Sequence, residues 1–383
     1  MTKPFDMSLV QRGARLRRSP FFEATQRYGA KAYTVYNHML FPIRFDDLQA
    51  EYWKLINDVT LWDVSVERQV EITGPDAFAL ANFLTPRDLT RCRVGQGKYV
   101  LITDDRGGII NDPVLLRLGE NHFWLALADS DVLLWARGVA YRMGMDVEIH
   151  EPDVSPLQLQ GPKSKDVIRV LFGDEALGLD YYYFLETDLD GIPVVLTRTG
   201  WSGEVGYEIY LRDGSRGVEL WEKIMHAGEP FGIAPTGPSD IRRIEAGILN
   251  HGADMTLENN PFEVGLGWLV DLDQTADFMG KGALEKIKST GVSRKLAGIE
   301  IDGDPLELNP TKWPVTNAET QIGMVTSAVF TPRLERNIGY AMLPVAYTDP
   351  GTRLVVHVSE TDQRAATVVQ KPFIDPDKDI PKA

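Results

Sequence analysis

Twice in this chain a strand-like stretch runs into Gly-Pro and then directly into a helical one. Arg68-Gln-Val-Glu-Ile-Thr73 alternates before Gly74-Pro-Asp76, and Leu157-Gln-Leu-Gln160 does so before Gly161-Pro-Lys163. Period-two alternation marks a half-buried strand, and a polar start before a spaced apolar run marks a helix, with Asp76 near its N-terminus. Two related α+β units would explain the echo; a common strand-to-helix turn met twice would also produce it.

The pattern around these corners is mixed. Asp46 to Val59 spaces Leu48, Tyr52, Leu55 and Ile56 as an amphipathic helix. Lys98 to Thr103 and Ile109 to Leu118 flank Asp104-Asp-Arg-Gly-Gly108, which predicts a hairpin whose glycines free the turn. A strand is expected at His122 to Leu127, with others within 183–198 and 204–212. Helices are expected from Ser130, over Lys163 to Phe172, Ser215 to His226 and Asp240 to Leu249. Beyond Thr290 short strands alternate with turn residues, at Leu296 to Ile301, Gln321 to Phe330, Asn337 to Leu343 and Arg353 to Val358, as in a small all-β domain. Residues 1–20 read as a polar, basic arm, and the tail from Pro372 as loosely held.

A chain of 383 residues is long enough for two or three domains. Its net charge of −15 argues against nucleic-acid binding, which concentrates Lys and Arg; the densest basic run, Arg12 to Arg18, is short. The same charge would repel an anionic membrane. No run approaches ~18 apolar residues and no early segment has the build of a secretory signal, so the expected location is cytoplasmic. Cys92 is the single cysteine, which rules out an intrachain disulfide and a cysteine metal cage. The six histidines, His38, His122, His150, His226, His251 and His357, hold no helical zinc spacing, and no metal is expected.

Four segments could carry chemistry. Asp112, in Asn111-Asp-Pro113, precedes an apolar run; a buried carboxylate there needs a partner, and otherwise it is a solvated turn residue. Thr199 to Tyr210 has three glycines within seven residues, which permits close main-chain approach to a ligand. It offers Trp201, Tyr207 and Tyr210 as aromatic faces and Glu204 and Glu208 as acceptors, although a hairpin with a glycine turn fits equally well. Its spacing is not a dinucleotide fingerprint, so no flavin is expected. On a helix, Arg243 lies about one turn from Asp240 and from Ala246 and Gly247. It either reaches a ligand over the small residues or forms a surface pair with Asp240. Asn260 to Trp268 reads as core packing.

In their order along the chain, these segments resemble the glycine-cleavage T-protein (aminomethyltransferase) superfamily. The matching stretches are Trp62-Asp-Val-Ser65, Gly107-Gly-Ile-Ile-Asn-Asp112, Gln160-Gly-Pro162, Thr199 to Glu208, Asp240 to Gly247, Met279-Gly-Lys-Gly-Ala-Leu284 and Thr326-Ser-Ala-Val-Phe-Thr-Pro332. The N-terminal third is more similar to dimethylsulfoniopropionate demethylases. Arg17 to Phe21, Tyr33 to Leu40, Trp62 to Val70, Asn111-Asp-Pro-Val114 and Ala128 to Val132 carry that likeness. Gly200-Trp-Ser-Gly-Glu-Val-Gly206 departs from that branch's Gly-Trp-Ser-Lys-Gln-Gly-Gly and is closer to glycine-cleavage T-proteins.

The resemblance implies an α+β, three-subdomain cloverleaf with a C-terminal small β-barrel. Residues 1–289 would form a folate-binding body of two interleaved α+β subdomains, and residues 290–383 the barrel. It implies tetrahydrofolate as cofactor, a small-molecule methyl donor, no nucleic-acid or membrane partner, and a homodimer as one assembly open to it. By position, Asp112 matches the family's functional carboxylate, Glu208 the acid that holds the pterin, Arg243 a folate-contacting arginine and Tyr99 an aromatic beside the cofactor. Tyr36, Trp201 and Tyr210 are expected on the methyl-donor side. The leading expectation is a demethylase that moves a methyl group from a sulfonium or quaternary ammonium zwitterion to tetrahydrofolate. A glycine-cleavage aminomethyltransferase yielding 5,10-methylenetetrahydrofolate is the second. A non-catalytic folate-binding protein is the third; it would carry a reactive cysteine in a motif that Thr90-Arg-Cys-Arg93 lacks.

Overall fold

The computed structural model describes residue 13 and residues 15–383. Most of the N-terminal arm, including Arg12 at the start of the basic run, lies outside the described residues.

Two sheets form the centre. In the larger, six strands run in the order Phe184–Leu189, Ile192–Thr197, Gly206–Leu211, Ser155–Gln160, Thr60–Asp63 and Ala234–Pro235. All neighbours in it are antiparallel except the last pair. In the smaller, five antiparallel strands run Glu148–His150, Gln69–Thr73, His122–Ala126, Val114–Gly119 and Gln96–Tyr99.

Period-two geometry sends successive side chains to opposite faces, and here both faces are covered. Phe123 and Leu125 pack with Leu80, Leu84 and Ala136 of helices Ala77–Leu84 and Val132–Met143. Trp124 and Ala126, between them in sequence, pack with Val195 and Tyr210 of the larger sheet. On that sheet's far side, Tyr207, Ile209 and Leu211 meet Val167, Ile168, Leu220 and Ile224 of helices Ser164–Phe172 and Gly217–Gly228. The layers are therefore helix, sheet, sheet, helix. All six residues of Gly206–Leu211 and of Ser155–Gln160 are buried, so their polar members, Glu208, Gln158 and Gln160, are interior groups that need partners.

The two Gly-Pro corners are alike in three dimensions. Gly74 (φ +114°) and Gly161 (φ +122°) follow Gln69–Thr73 and Ser155–Gln160. A Cβ on Gly74 would stand 2.8 Å from the Asp146 carbonyl oxygen, and one on Gly161 2.6 Å from that of Asp58. Each of those carbonyls belongs to chain leaving a helix, Val132–Met143 or Leu48–Asn57, for the strand that pairs with the corner's own strand. Only glycine fits either corner.

A closed barrel follows, in the order Arg294–Ile301, Arg336–Pro344, Thr320–Thr331, Trp313–Asn317, Arg353–His357 and Gln363–Val369. Trp313–Asn317 and Gln363–Val369 were not among the expected strands, yet without them the ring does not close. The tail is not loose. The Phe373 and Ile374 amides donate to the Glu245 carbonyl at 2.9 and 3.0 Å, and Arg198 holds the Ala383 oxygen at 2.7 Å. The helix expected over Asp240 to Leu249 stops at Glu245, because Gly247 takes φ +72° just beyond it. Among the described residues, no helix is long and apolar enough to cross a membrane.

Candidate active site

The expected hairpin forms, but as two ribbons. Gln96–Tyr99 pairs with Val114–Gly119 inside the smaller sheet, while Ile102–Thr103 pairs with Ile109–Asn111 separately. The ladder breaks at Asp112-Pro113, where proline has no N–H to continue it. The break aims Asp112 inward, and its partner is Tyr99, whose hydroxyl donates to Oδ2 at 2.9 Å. Asp112 lies deep in the protein although part of its surface stays open, so it lines a recess. Burial pushes its pKa up to about 7, against the opposing pull of the Tyr99 hydrogen bond. Its neighbour Asn111 is fully buried and clasps Ala128 and Ser130.

Glu208 comes from the facing sheet. Register places it between Gln158 and Thr197 on neighbouring strands. Its Oε1 accepts from Gln158 at 2.9 Å, and its Oε2 from Thr199 at 2.9 Å and Tyr210 at 2.6 Å. Thr197 also hydrogen-bonds the carboxylate. Burial, the largest influence, raises the carboxyl's pKa against those hydrogen bonds. Tyr210 is 0% exposed, with its ring 6.3 Å from Trp124.

Tyr36 ends strand Ala32–Tyr36, just before Asn37 and His38, both at positive φ, which is the backbone of a tight hairpin turn. It is half-buried, and after burial itself the charges of Asp112 and Glu67 weigh most on its hydroxyl. Glu67 and Tyr182 were not among the expected site residues. Tyr182 feels Glu208, Arg87 and Asp112, and Glu67 feels Glu208 and Asp112. Glu67 could have been suspected from its place in the demethylase-like stretch Trp62 to Val70. Among the described residues, no Lys or Arg pairs with Glu67, Asp112 or Glu208, leaving the recess without a cationic partner for its three acids.

Arg243 is 1% exposed and is not the surface partner of Asp240 considered above. Its guanidinium donates to Asp240 (2.7 Å), Asp254 (2.7 Å) and Ser327 (2.9 Å) and sits 5.6 Å below the Trp201 ring. Asp254 in turn accepts from both Thr326 and Ser327 at 2.7 Å. A bulge between Val325 and Ser327 lets these consecutive residues face the same way. Arg243 thus supports Trp201 from beneath, and the barrel motif beginning Thr326-Ser anchors the support.

The glycines of Thr199 to Tyr210 serve packing. A Cβ on Gly200 or Gly206 would fall 2.1 or 2.2 Å from Gln160 Oε1, and one on Gly203 2.5 Å from Ala246 Cβ. Glu204, in the stretch that departs from the demethylase pattern, turns away to pair with Arg242 at 2.7 Å. Trp268 is no core residue: it is 59% exposed, 6.4 Å from Tyr99, with Arg87 5.5 Å over its ring. Cys92 is buried and burial pushes its thiol pKa up, the opposite of a reactive cysteine.

Residues 13–274 match the model of the GCVT N-terminal domain, and residues 294–375 that of the glycine cleavage T-protein C-terminal barrel domain. The chain belongs to the glycine-cleavage T-protein family. A dimethylsulfoniopropionate demethylase of Ruegeria pomeroyi is 39% identical over 356 residues, covering 92% of this chain and 96% of that one. An aminomethyltransferase of Bacillus cytotoxicus is 30% identical over 365 residues, covering 94% and 98%. The crystal structure of the glycine cleavage system aminomethyltransferase T from Bartonella henselae superposes with a TM-score of 0.84 at 25% identity, covering 94% and 98%. The cloverleaf with its terminal barrel is thus the architecture of this family, and Tyr99, Asp112 and Glu208 come from the two sheets that face each other.

Proposed function

We propose that this protein is a tetrahydrofolate-dependent demethylase, moving a methyl group from a small sulfonium zwitterion such as dimethylsulfoniopropionate to give 5-methyltetrahydrofolate. The observation that carries this reading is Asp112, held by Tyr99 in a deep recess with a pKa near neutrality. The demethylase relative, at 39% identity against 30% for the Bacillus cytotoxicus aminomethyltransferase, supports the choice of donor. Glu204, in the stretch that departs from the demethylase pattern, is engaged with Arg242.

The residues fit a folate. Glu208 supplies a carboxylate that can accept from ring N–H groups, Tyr99 and Tyr182 offer aromatic walls, and exposed Trp268 lies beside Tyr99. When bound, the folate supplies the secondary amine that receives the methyl group, while the donor sulfur keeps the bonding electron pair and leaves as a neutral thioether. The chain's part is to hold amine and methyl carbon in line, a large entropic contribution. It also keeps water from the dispersing charge. Ionised Asp112 stabilises the positive charge that develops on the amine and takes the proton it sheds.

Saturating tetrahydrofolate at ~100 times its Kd should raise stability by about 2.7 kcal/mol, read as a shift in the thermal melt. A screen of methyl donors with tetrahydrofolate, scored by product mass, should give the 5-methyl product from dimethylsulfoniopropionate. Formation of 5,10-methylenetetrahydrofolate instead would assign the aminomethyltransferase reaction. Glu208→Gln should weaken folate binding roughly ten- to hundredfold, because hydrogen bonds to a charged acceptor contribute about 1.5–3 kcal/mol. Chemistry at saturating folate should change less. An unaltered Kd in titration calorimetry would place Glu208 outside the folate site.

A further inference from the structure

A chain of contacts that the reading above does not use runs from the smaller sheet to Glu208. It begins at Glu71, which register sets directly across from Trp124 on one neighbouring strand and from His150 on the other. Residues directly opposite in a ladder share a face. Glu71 Oε1 accepts from the Trp124 indole Nε1–H at 2.7 Å and from His122 Nε2 at 2.6 Å, and its Oε2 meets His150 Nε2 at 2.9 Å. Burial would raise this carboxyl's pKa, but the hydrogen bonds from Trp124 and His122 outweigh it and hold it below its ordinary value. The indole N–H is therefore anchored on an ionised acceptor, the stronger kind of hydrogen bond.

Trp124 is 1% exposed, and its ring crosses to the larger sheet. It lies 6.3 Å from the Tyr210 ring, with the Arg212 guanidinium 5.4 Å over it. Tyr210 in turn donates to Glu208 Oε2 at 2.6 Å. The indole is thus fixed at its N–H by a carboxylate of its own sheet and at its ring by two residues of the facing one. A phenylalanine could help fill the space between the sheets with no buried N–H to satisfy. What the tryptophan adds is a set orientation, and the ring it orients against is the one that holds Glu208.

We infer that Trp124 is a positioning residue for folate binding: anchored by Glu71, it keeps the Tyr210 hydroxyl on Glu208 and so sets the plane of the carboxylate that accepts the pterin N–H groups. The inference rests on the assignment of Glu208 to the folate made above. The terminal torsion of a glutamate is soft, so its carboxylate turns easily unless donors pin it. Hydrogen bonds lose strength steeply as they misalign, so a turned Glu208 would meet the ring poorly. Gln158 and Thr199 pin it from the larger sheet itself, whereas the pin at Tyr210 depends on what packs against that ring from the smaller sheet. Neither Glu71 nor Trp124 touches the ligand; both act through Tyr210.

A double-mutant cycle tests this, read as the tetrahydrofolate Kd in titration calorimetry. Tyr210→Phe should weaken binding about tenfold, and Trp124→Phe roughly three- to tenfold. In the Tyr210→Phe background, Trp124→Phe should add less than about twofold, because the contact through which it acts is already gone. At saturating folate, kcat of Trp124→Phe should stay within a factor of about two, a split between binding and turnover that general loosening of the packing would not give. Where Trp124→Phe fails to fold, Glu71→Leu removes the anchor while keeping the indole. It should weaken binding in the same way, and again have little effect once Tyr210 is Phe. Losses that multiply in the double variant, or single variants with the wild-type Kd, would overturn the inference and leave Glu208 as the folate's acid. A Trp124→Phe protein whose kcat falls as far as its affinity would overturn it too. An unchanged Kd for Glu208→Gln would fell both readings.

Discussion

Asp112→Asn should lower kcat by on the order of 10²–10³ while the donor's KM stays within a factor of about two. The carboxylate acts on charge that appears only as the methyl group moves, and only interactions stronger in the transition state than in the ground state accelerate a step. Asparagine keeps the shape and can still accept from Tyr99, but it brings no negative charge and takes up no proton. The pH profile gives a second signature. With a pKa of about 7, Asp112 is protonated on the acid side, so wild-type kcat/KM should rise with pH through about 7, and the asparagine variant should lose that limb. Stability runs the other way. A folded pKa raised above the unfolded value favours the fold at low pH, and that contribution disappears as pH rises through about 7. Asn111→Ala should cost stability, through lost contacts to Ala128 and Ser130, and should affect the rate less. Near-normal single-turnover methyl transfer by Asp112→Asn would remove this residue from the chemistry.

Arg243→Met should destabilise the protein by about 3–5 kcal/mol even without folate, because removing one partner of a buried ion pair leaves the other uncompensated. The group left behind is Asp254, whose side chain is wholly buried and whose remaining contacts are the Thr326 and Ser327 hydroxyls and the Asn250 amide. Methionine retains much of the apolar stem, so lost packing alone would cost less. Folate affinity should fall as well, through Trp201, which would lose the cation beneath its ring. Denaturant unfolding of the folate-free variant checks this directly. A loss under about 1 kcal/mol would mean that the remaining contacts satisfy Asp254 without its cation, and that Arg243 serves the ligand more than the fold.

Local signals carried much of the plan. The alternation around Gly74-Pro75 and Gly161-Pro162 placed two strands and two helices correctly, since period and turn chemistry are properties of adjacent residues. The shift beyond Thr290 announced the barrel but missed Trp313–Asn317, which contains a proline, and Gln363–Val369, whose polar and small residues precede its two valines. The tail reads as polar and loose, yet it is held by backbone bonds to Glu245 that no local pattern encodes.

At the site the division is sharper. The order of motifs along the chain was enough to single out Tyr99, Asp112, Glu208 and Arg243 as residues worth locating. Which of them face one space was decided by the pairing of two sheets whose inner faces are both buried. That packing joined Tyr210 to Glu208 and set Arg243 under Trp201. It also directed Glu204 away to Arg242, although Glu204 and Glu208 look equivalent as acceptors in one glycine-rich segment. The reason is physical: a sequence records spacing along one chain, whereas the cost of burying a carboxylate depends on which donors and charges the rest of the fold brings to it.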